Sequence, residues 1–264
     1  MKYFFISVII CFSATYSQAQ YWAGARGAAL GDASVAMNDV NAVFSNPAGT
    51  ANLTQFSGVI YADRRFGSNA FNIFSAAACL PTKSGTWGVK LKYQGFSELN
   101  EQQVGLTYSR KIFSNFSIGA GFASRFVHAA TYPNRAAFTF EIGAQAQIFK
   151  SLRLGVFTYN PVQIKRDGNA DLPSILKVGL TYSPSDKVNI NAEIEKDVVY
   201  KASYKGGVEY KLLPKLWLRA GYRYNPAIYS FGVGYQIKDR LFMDILAANH
   251  EKLGFIPGFS LSFK

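Results

Sequence analysis

Hydrophobic and polar residues alternate with a period of two along most of this 264-residue chain. Clear examples are the segments 138–148, 188–195, 216–223 and 229–237. Successive side chains of a β-strand point to opposite faces, so each segment predicts a strand with one apolar and one polar face. After the first nineteen residues the chain has no apolar run of the roughly 20 residues that a membrane helix needs. The pattern therefore favours an all-β protein and excludes a bundle of membrane helices.

The composition separates a membrane barrel from a soluble β-protein. Aromatic residues make up 16% of the chain and charged residues only 17%, yet the mean hydropathy is +0.02. A transmembrane β-barrel combines these properties because lipid-facing and lumen-facing residues alternate. Tyr and Trp also stand near strand ends on the apolar faces, as in the aromatic girdles of such barrels: Trp87, Tyr93, Tyr182, Tyr204, Tyr210, Tyr229 and Tyr235. A soluble periplasmic β-protein is the less favoured alternative.

Two alternating sets of polar connections predict the strand count. Six short connections are expected at 81–85, 109–115, 150–151, 183–187, 211–215 and 238–240. Seven others, most of them longer, are expected at 64–68, 95–101, 126–134, 160–173, 196–199, 225–226 and 249–256. The resulting prediction is a transmembrane antiparallel β-barrel of about 14 strands over residues 55–264, closed by the segment 259–263. Short turns are expected on the periplasmic side and longer loops outside.

The N-terminal region does not show the period of two. Residues 1–19 have a basic start, a short apolar run and small residues at 17 and 19, which is typical of a cleaved signal peptide. Residues 20–54 are small and nearly uncharged, and they are expected to form a hatch inside or beneath the barrel. Asn38 or Asp39 is predicted to cap a short helix through Phe44, and a second helical turn is predicted from Pro47 to Leu53.

The alternation predicts which charged side chains face the lumen. That set comprises Lys90, Lys92, Glu141, Arg153, Lys177, Glu193, Glu195, Lys205, Glu209, Arg219, Arg223 and Asp244. The favoured interpretation is that they pair with one another or with the hatch, because charges removed from water need partners. The alternative is a polar or anion-favouring pathway. The same alternation turns the apolar residues Phe157, Phe242 and Leu246 inward.

The chain lacks the residues that a catalytic site, a disulfide or a closed zinc site requires. The chain has two histidines, His128 and His250, both at predicted outer connections and without a nucleophile at a defined spacing. Removing the signal leaves one cysteine, Cys79, so neither a disulfide nor a closed zinc site is expected. We predict no enzyme activity, no cofactor and no metal. The net charge of +12 is scattered, so nucleic acid is not expected as a partner, whereas anionic lipid headgroups or an anionic ligand remain open.

Residues 24–36, followed by Asp39 to Gly49, form a recognisable signature. A Gly-rich stretch, then small apolar residues, then Asn46, Pro47, Ala48 and Gly49 immediately before the first strand resembles the N-terminus of the FadL superfamily of outer-membrane barrels. The PorV/PorQ-like proteins of Bacteroidetes-type Gram-negative bacteria are the most similar branch. The four residues Asn46 to Gly49 correspond to part of the hatch in that superfamily.

The resemblance implies a location, a function and partners. It implies a 14-stranded barrel in the outer membrane, surrounded by lipid, with a lumenal hatch. Transporters of the superfamily take up hydrophobic compounds that leave through a lateral opening, so passage of such compounds is the first expectation. The PorV branch accompanies cargo in type IX secretion, so a non-enzymatic accessory that contacts secretion proteins is the alternative. The connection 160–173 carries charges instead of the apolar capture loop of fatty-acid carriers.

Overall fold

The computed structural model describes residues 24–130, 132–162 and 172–264. The predicted signal peptide and the charged centre of the 160–173 connection lie outside these ranges. Helices α1 (Gly24–Ala29) and α2 (Ala42–Ser45) come first, followed by a 3-10 helix (Pro47–Asn52); two more 3-10 turns lie at Arg65–Gly67 and Asn69–Phe71. None of the helices in these ranges is long and apolar enough to cross a bilayer.

Fourteen antiparallel strands form one closed barrel. They are β1 (Ser57–Arg64), β2 (Asn72–Pro81), β3 (Thr86–Gly95), β4 (Leu99–Phe113), β5 (Phe116–Ala129), β6 (Tyr132–Phe149), β7 (Leu152–Tyr159), β8 (Ile175–Ser185), β9 (Val188–Asp197), β10 (Ser203–Leu213), β11 (Leu216–Tyr224), β12 (Ile228–Lys238), β13 (Leu241–His250) and β14 (Gly254–Phe263). Each strand pairs with its neighbours in sequence, and β14 closes the barrel against β1 from Gly58↔Phe263 to Asp63↔Gly258. The predicted fold class, strand count and closing strand are confirmed.

The two faces of the wall follow the alternation. Along β6, Phe138, Phe140 and Ile142 are exposed on the outside, whereas Thr139 and Glu141 are buried inside. Exposed large apolar side chains occur on every strand, and a surface of this kind is stable in hydrocarbon rather than in water. The barrel has no unpaired strand edge, so its backbone groups are satisfied within the wall.

Each predicted connection overlaps an observed one, but several were predicted too long, among them 109–115, 126–134 and 249–256. Strands β5 and β6 extend to Ala129 and from Tyr132, so most of the predicted connection 126–134 is strand. Paired strands that rise beyond the membrane continue their hydrogen-bond ladder, and polar side chains there do not end them. The capped helix was also predicted too long: α2 begins at Ala42, and Asp39 accepts a hydrogen bond from the Asn41 amide before it.

Candidate functional site in the barrel lumen

The lumen is occupied by residues 24–53, which we call the hatch. Helix α1 packs on the inner faces of β11 to β14 and β1, and the 3-10 helix lies against β3 to β6. The segment between them crosses β7 to β10, since Val35 and Ser34 contact β7 and β9. Almost all hatch residues are buried. A small N-terminal hatch segment was predicted, and the structure shows it; the bounds 20–54 remain a prediction.

Wall glycines allow the hatch backbone to touch the wall. A Cβ atom added to Gly221 would lie 2.1 Å from the amide nitrogen of Gly31, and one added to Gly119 would lie 2.5 Å from that of Ala48. A Cβ on Gly155 would stand 2.3 Å from the carbonyl oxygen of Val35. No side chain fits at such distances, so glycine on the inner face is the condition for seating the hatch this deeply.

The Asn-Pro-Ala-Gly motif links the hatch to β5, β6 and β7. Asn46 is fully buried, and its Nδ2 donates to the carbonyl of Val35 at 2.8 Å and to those of Ala144 and Val156 at 3.2 Å. Its Oδ1 accepts from the Ala48 amide and so caps the 3-10 helix that starts at Pro47. The Ala48 carbonyl accepts from Ser117 on β5 at 3.0 Å. Gly49 is required because a Cβ there would lie 2.2 Å from the Met37 carbonyl.

One charge cluster joins the hatch to β8, β9, β10 and β11. Lys205 Nζ lies 3.1 Å from Asp32 of the hatch, 2.9 Å from Glu193 and 2.7 Å from Glu195. Glu193 also accepts from the amides of Ser34 and Val35, both at 2.8 Å. Two further cations approach the same carboxylates, namely Lys177, 3.1 Å from Glu195, and Arg223, 3.4 Å from Glu195.

A second cluster is centred on Arg26 of α1. Its guanidinium lies 2.5 Å from Asp39 and 2.7 Å from Glu209, and Glu209 in turn holds Arg219 at 2.6 Å. Arg219 continues the chain to Asp244 at 2.7 Å. Burial raises the pKa of the Asp39 carboxyl, but the positive charges of Lys264 and Arg26 outweigh it and hold that pKa well below its usual range.

The remaining members of the predicted lumen set lie apart from these clusters. Lys90 donates to Glu141 at 2.6 Å and to the Val43 carbonyl of the hatch at 3.1 Å. Arg153 is half-buried and donates to the Ala36 carbonyl at 3.1 Å and to Gln147 at 3.0 Å. Lys92, also half-buried, lines a cavity described below. The hatch partners Arg26, Asp32 and Asp39 were missed; three charges in an otherwise uncharged segment were the available signal.

The other side of the interior is apolar. Ala25, Ala28 and Ala29 of α1 pack on one group of buried wall side chains: Tyr61, Ile73, Ile228, Leu246, Ala248 and Ile256. Of the apolar residues predicted to face inward, Leu246 belongs to this cluster, and Phe157 packs with Val35 of the hatch. Phe242 lies 6.0 Å from the Trp217 ring, near the short-turn end. This apolar cluster borders buried charges, since the Tyr61 hydroxyl donates to Asp63 at 2.8 Å and Asp244 lies on the same strand as Leu246.

A small cavity and an outer groove meet at the wall of β2 and β3. The cavity has a volume of about 10 Å3, room for one water, and lies between Phe44 of the hatch and the wall residues Ile73 and Lys92. Outside, an apolar groove of about 520 Å3 runs over β1 to β4. Ser75, Leu91, Lys92 and Gln103 line both. The β2–β3 ladder is paired without a break from Ile73 to Pro81, so this point of the wall is thin but closed.

The two histidines make local contacts near the long-loop end of the barrel. His128 contacts Asn134 at 2.7 Å, and His250 Nδ1 accepts from the Lys252 and Leu253 amides in the last long connection. No group of three His, Cys, Asp or Glu side chains suited to a metal ion occurs among residues 24–130, 132–162 and 172–264.

Comparison with known proteins identifies similar structures. No family model matches, and no curated protein matches in sequence. The crystal structure of the toluene transporter TbuX of Ralstonia pickettii matches with a TM-score of 0.67 at 12% identity, over 92% of this chain and 97% of that one. The Pseudomonas putida toluene transporter TodX gives 0.65 at 11% identity, over 92% and 96%. A Pseudomonas aeruginosa FadL homologue gives 0.59 at 16% identity, over 90% and 97%. At these identities the similarity establishes the fold alone: the closed barrel of this chain has the same fold as these three proteins.

Proposed function

We propose that this barrel lies in the outer membrane and allows small hydrophobic compounds to pass across it. Export through a cleaved signal at residues 1–19 belongs to the same proposal. The observation that carries it is the apolar cluster inside the barrel. That cluster runs along β1, β2 and β12 to β14 and reaches Ile73 beside the cavity and the outer groove. The fold shared with proteins described as toluene transporters supports the same class of compound.

The hatch occupies this route, so this conformation is the closed one. A compound entering between the long loops meets Phe66, then Tyr61, Ile73 and Ile256, before it reaches Phe44 of the hatch. Passage into the membrane at β2 and β3 requires Phe44 to withdraw and the thin wall to open. We therefore propose that this protein, as a FadL-type barrel with a PorV-like signature, lets hydrophobic compounds pass only when the hatch moves.

Uptake of a labelled monoaromatic hydrocarbon by cells tests the proposal. We expect a deletion strain to lose saturable uptake and the complemented strain to regain it. Ser75→Phe adds bulk where the cavity meets the groove and is expected to lower uptake severalfold. Thr181→Phe, on the inner face of β8 opposite this point, is the matched control. Uptake that is unaffected by the deletion would refute the function, whatever the variants do.

The alternative proposal is a non-enzymatic accessory of protein secretion. The filled interior and the continuous strand ladder favour it, because a barrel that acts by contact needs no open pathway. We expect the deletion strain to retain exported proteins if transport is the function. Loss of exported proteins together with normal hydrocarbon uptake would select the secretion role instead.

A further inference from the structure

The short-turn end of the barrel carries a ring of basic side chains. Every one of the six short turns, or the strand end beside it, contributes at least one exposed cation. These residues form the basic ring: Lys83, Arg110, Lys111, Lys150, Lys187, Lys215 and Lys238. The exposed acids on the same turns are Asp186 and Asp239. The ring surrounds the barrel instead of forming a patch on one side.

The cations of the basic ring differ from the lumenal cations in their partners. None of the seven forms an ion pair with another described residue, whereas the lumenal Lys90, Lys205 and Arg219 all do. At the opposite end, Arg64 and Lys196 donate to backbone carbonyls of their own loops. Acidic residues Glu98 and Glu251 are interleaved there. Among the described residues, the short-turn end thus carries seven exposed cations without an ion pair against two exposed acids. An anionic partner for this excess positive charge would come from outside the chain.

The ring lies at the border of the apolar belt. Trp87, Tyr182, Tyr210 and Tyr235 are exposed on the outer face within a few residues of the same turns. Tyr and Trp prefer the level of the lipid headgroups, where one end of the side chain is apolar and the other is hydrated. The unpaired cations stand just beyond this level, which is where lipid phosphates lie.

An apolar groove opens at the same end. It has a volume of about 400 Å3 and a floor of small residues, among them Gly58 and Ala78, between walls that include Val89, Leu261 and Phe263. The Arg240 guanidinium lies 4.2 Å over the Phe263 ring, at the end of the groove. A groove on a lipid-facing wall with cations at its mouth matches a molecule with an apolar chain and an anionic head.

We propose that the basic ring and this groove bind anionic phospholipids of the adjacent leaflet, with an acyl chain in the groove and the phosphates at the ring. The proposal rests on the membrane location proposed above. A cation near an anionic lipid surface contributes measurably to binding, and the effects of several cations accumulate. A soluble acidic protein would use the ring but not a groove within the apolar belt.

Native mass spectrometry of the intact mature barrel, in detergent micelles with phosphatidylglycerol or phosphatidylcholine, tests the proposal. We expect phosphatidylglycerol to be retained preferentially. The ring variant Lys83→Gln/Lys111→Gln/Lys150→Gln/Lys187→Gln should weaken that retention by more than about tenfold. The matched control Arg64→Gln/Lys196→Gln/Lys201→Gln/Lys252→Gln removes four exposed charges at the opposite end and should change it less than about twofold.

Two further measurements distinguish a lipid phosphate from free phosphate as the bound anion. Ala78→Leu fills the groove floor without changing charge and should also weaken phosphatidylglycerol retention, while added inorganic phosphate should not displace the lipid. Heat-modifiable migration on gels shows whether every variant remains a folded barrel. Recovery of the unchanged protein in the outer-membrane fraction tests the membrane location separately from lipid binding. Equal loss in the ring variant and the control would overturn the proposal. So would an unchanged lipid count accompanied by loss of an acidic protein partner, or full displacement by free phosphate.

Discussion

Arg26→Met tests whether ion pairs hold the hatch in the lumen. Arg26 bridges Asp39 within the hatch and Glu209 on β10, with donor–acceptor distances of 2.5 to 2.9 Å. Removing one partner of a buried charge group costs roughly 3–5 kcal/mol. Both carboxylates keep another cation, Lys264 for Asp39 and Arg219 for Glu209, so we expect the lower end of this range. About 3 kcal/mol corresponds to an increase of roughly a hundredfold in the fraction of barrels with an open hatch.

Cys79 provides the assay. It is fully buried on the inner face of β2, covered by Val40, Val43 and Phe44 of the hatch. A maleimide can reach its thiol only when the hatch opens, so labelling in the folded barrel reports the open fraction. We expect labelling, and chymotrypsin cleavage after Phe44, to accelerate by about a hundredfold in Arg26→Met. Lys150→Met, which removes an unpaired turn charge, is the control and should leave both rates unchanged.

A double variant tests whether Arg26 and Glu209 act through the same contact. Glu209→Gln alone should also speed labelling, but in the Arg26→Met background it should add less than it does alone, because both changes remove the same contact. Unchanged labelling in Arg26→Met, or strictly additive effects, would show that apolar packing and backbone contacts seat the hatch without these ion pairs. Heat-modifiable migration of each variant shows whether the wall itself remains folded.

The remaining predictions concern the backbone contacts of the hatch and the pH. Gly221→Val introduces a Cβ that would lie 2.1 Å from the Gly31 amide nitrogen, so Cys79 labelling should rise while the wall stays folded. Gly58→Ala is the control, because the nearest atom to a Cβ at that position is 3.4 Å away. Asn46→Leu removes the side-chain donor to the Val35, Ala144 and Val156 carbonyls, of which Val35 keeps Gln145 at 3.0 Å, and it removes the cap of the 3-10 helix. The expected cost of about 2–4 kcal/mol is measurable by the same labelling. The pKa of the Asp39 carboxyl is lowered from 3.8, so its ion pairs stabilise the hatch above that pH and are lost as the pH falls further. Because the maleimide reaction itself slows as the thiolate fraction falls, each labelling rate is divided by the rate of the denatured barrel at the same pH. This ratio should be flat from pH 8 to 5 and rise only below about 4.

The wall was predictable because a single physical rule acts on every residue. A strand between lipid and lumen must alternate, so the pattern of Phe138 to Ile148 carries both its secondary structure and its orientation. Turn residues between such segments then gave the strand count and the closing strand. The error at 126–134 arose because strands that continue above the membrane no longer need an apolar face, so the alternation fades while pairing continues to Ala129.

The hatch was predictable only as a segment, since its conformation depends on the wall around it. Helix α1 has six residues, too few to be stable alone, and it is helical because Ala25, Ala28 and Ala29 fit the apolar cluster of the lumen. The pairing of Arg26 with Glu209 joins residues 183 positions apart. The local sequence indicates that a buried charge such as Arg26 needs a partner. Which wall residue becomes that partner depends on the register of the strands, because the register determines which wall residues lie at the same height as Arg26.

The hatch is held by two kinds of contact, ion pairs and apolar contacts, and this difference connects it to the proposed function. Ion pairs on β8 to β13 fix one side of the hatch through Asp32 and Arg26, each of which meets carboxylates or cations of the wall. Other contacts of the hatch, made by Ala25, Ala28 and Ala29 of α1 and by Phe44, are apolar and involve wall residues such as Ile73 and Leu246. Apolar contacts are non-directional and can be replaced by a hydrophobic compound, whereas a buried ion pair has no such substitute. We therefore expect a hydrocarbon to displace the apolar contacts of Phe44, beside the wall of β2 and β3, while the ion pairs of the hatch persist.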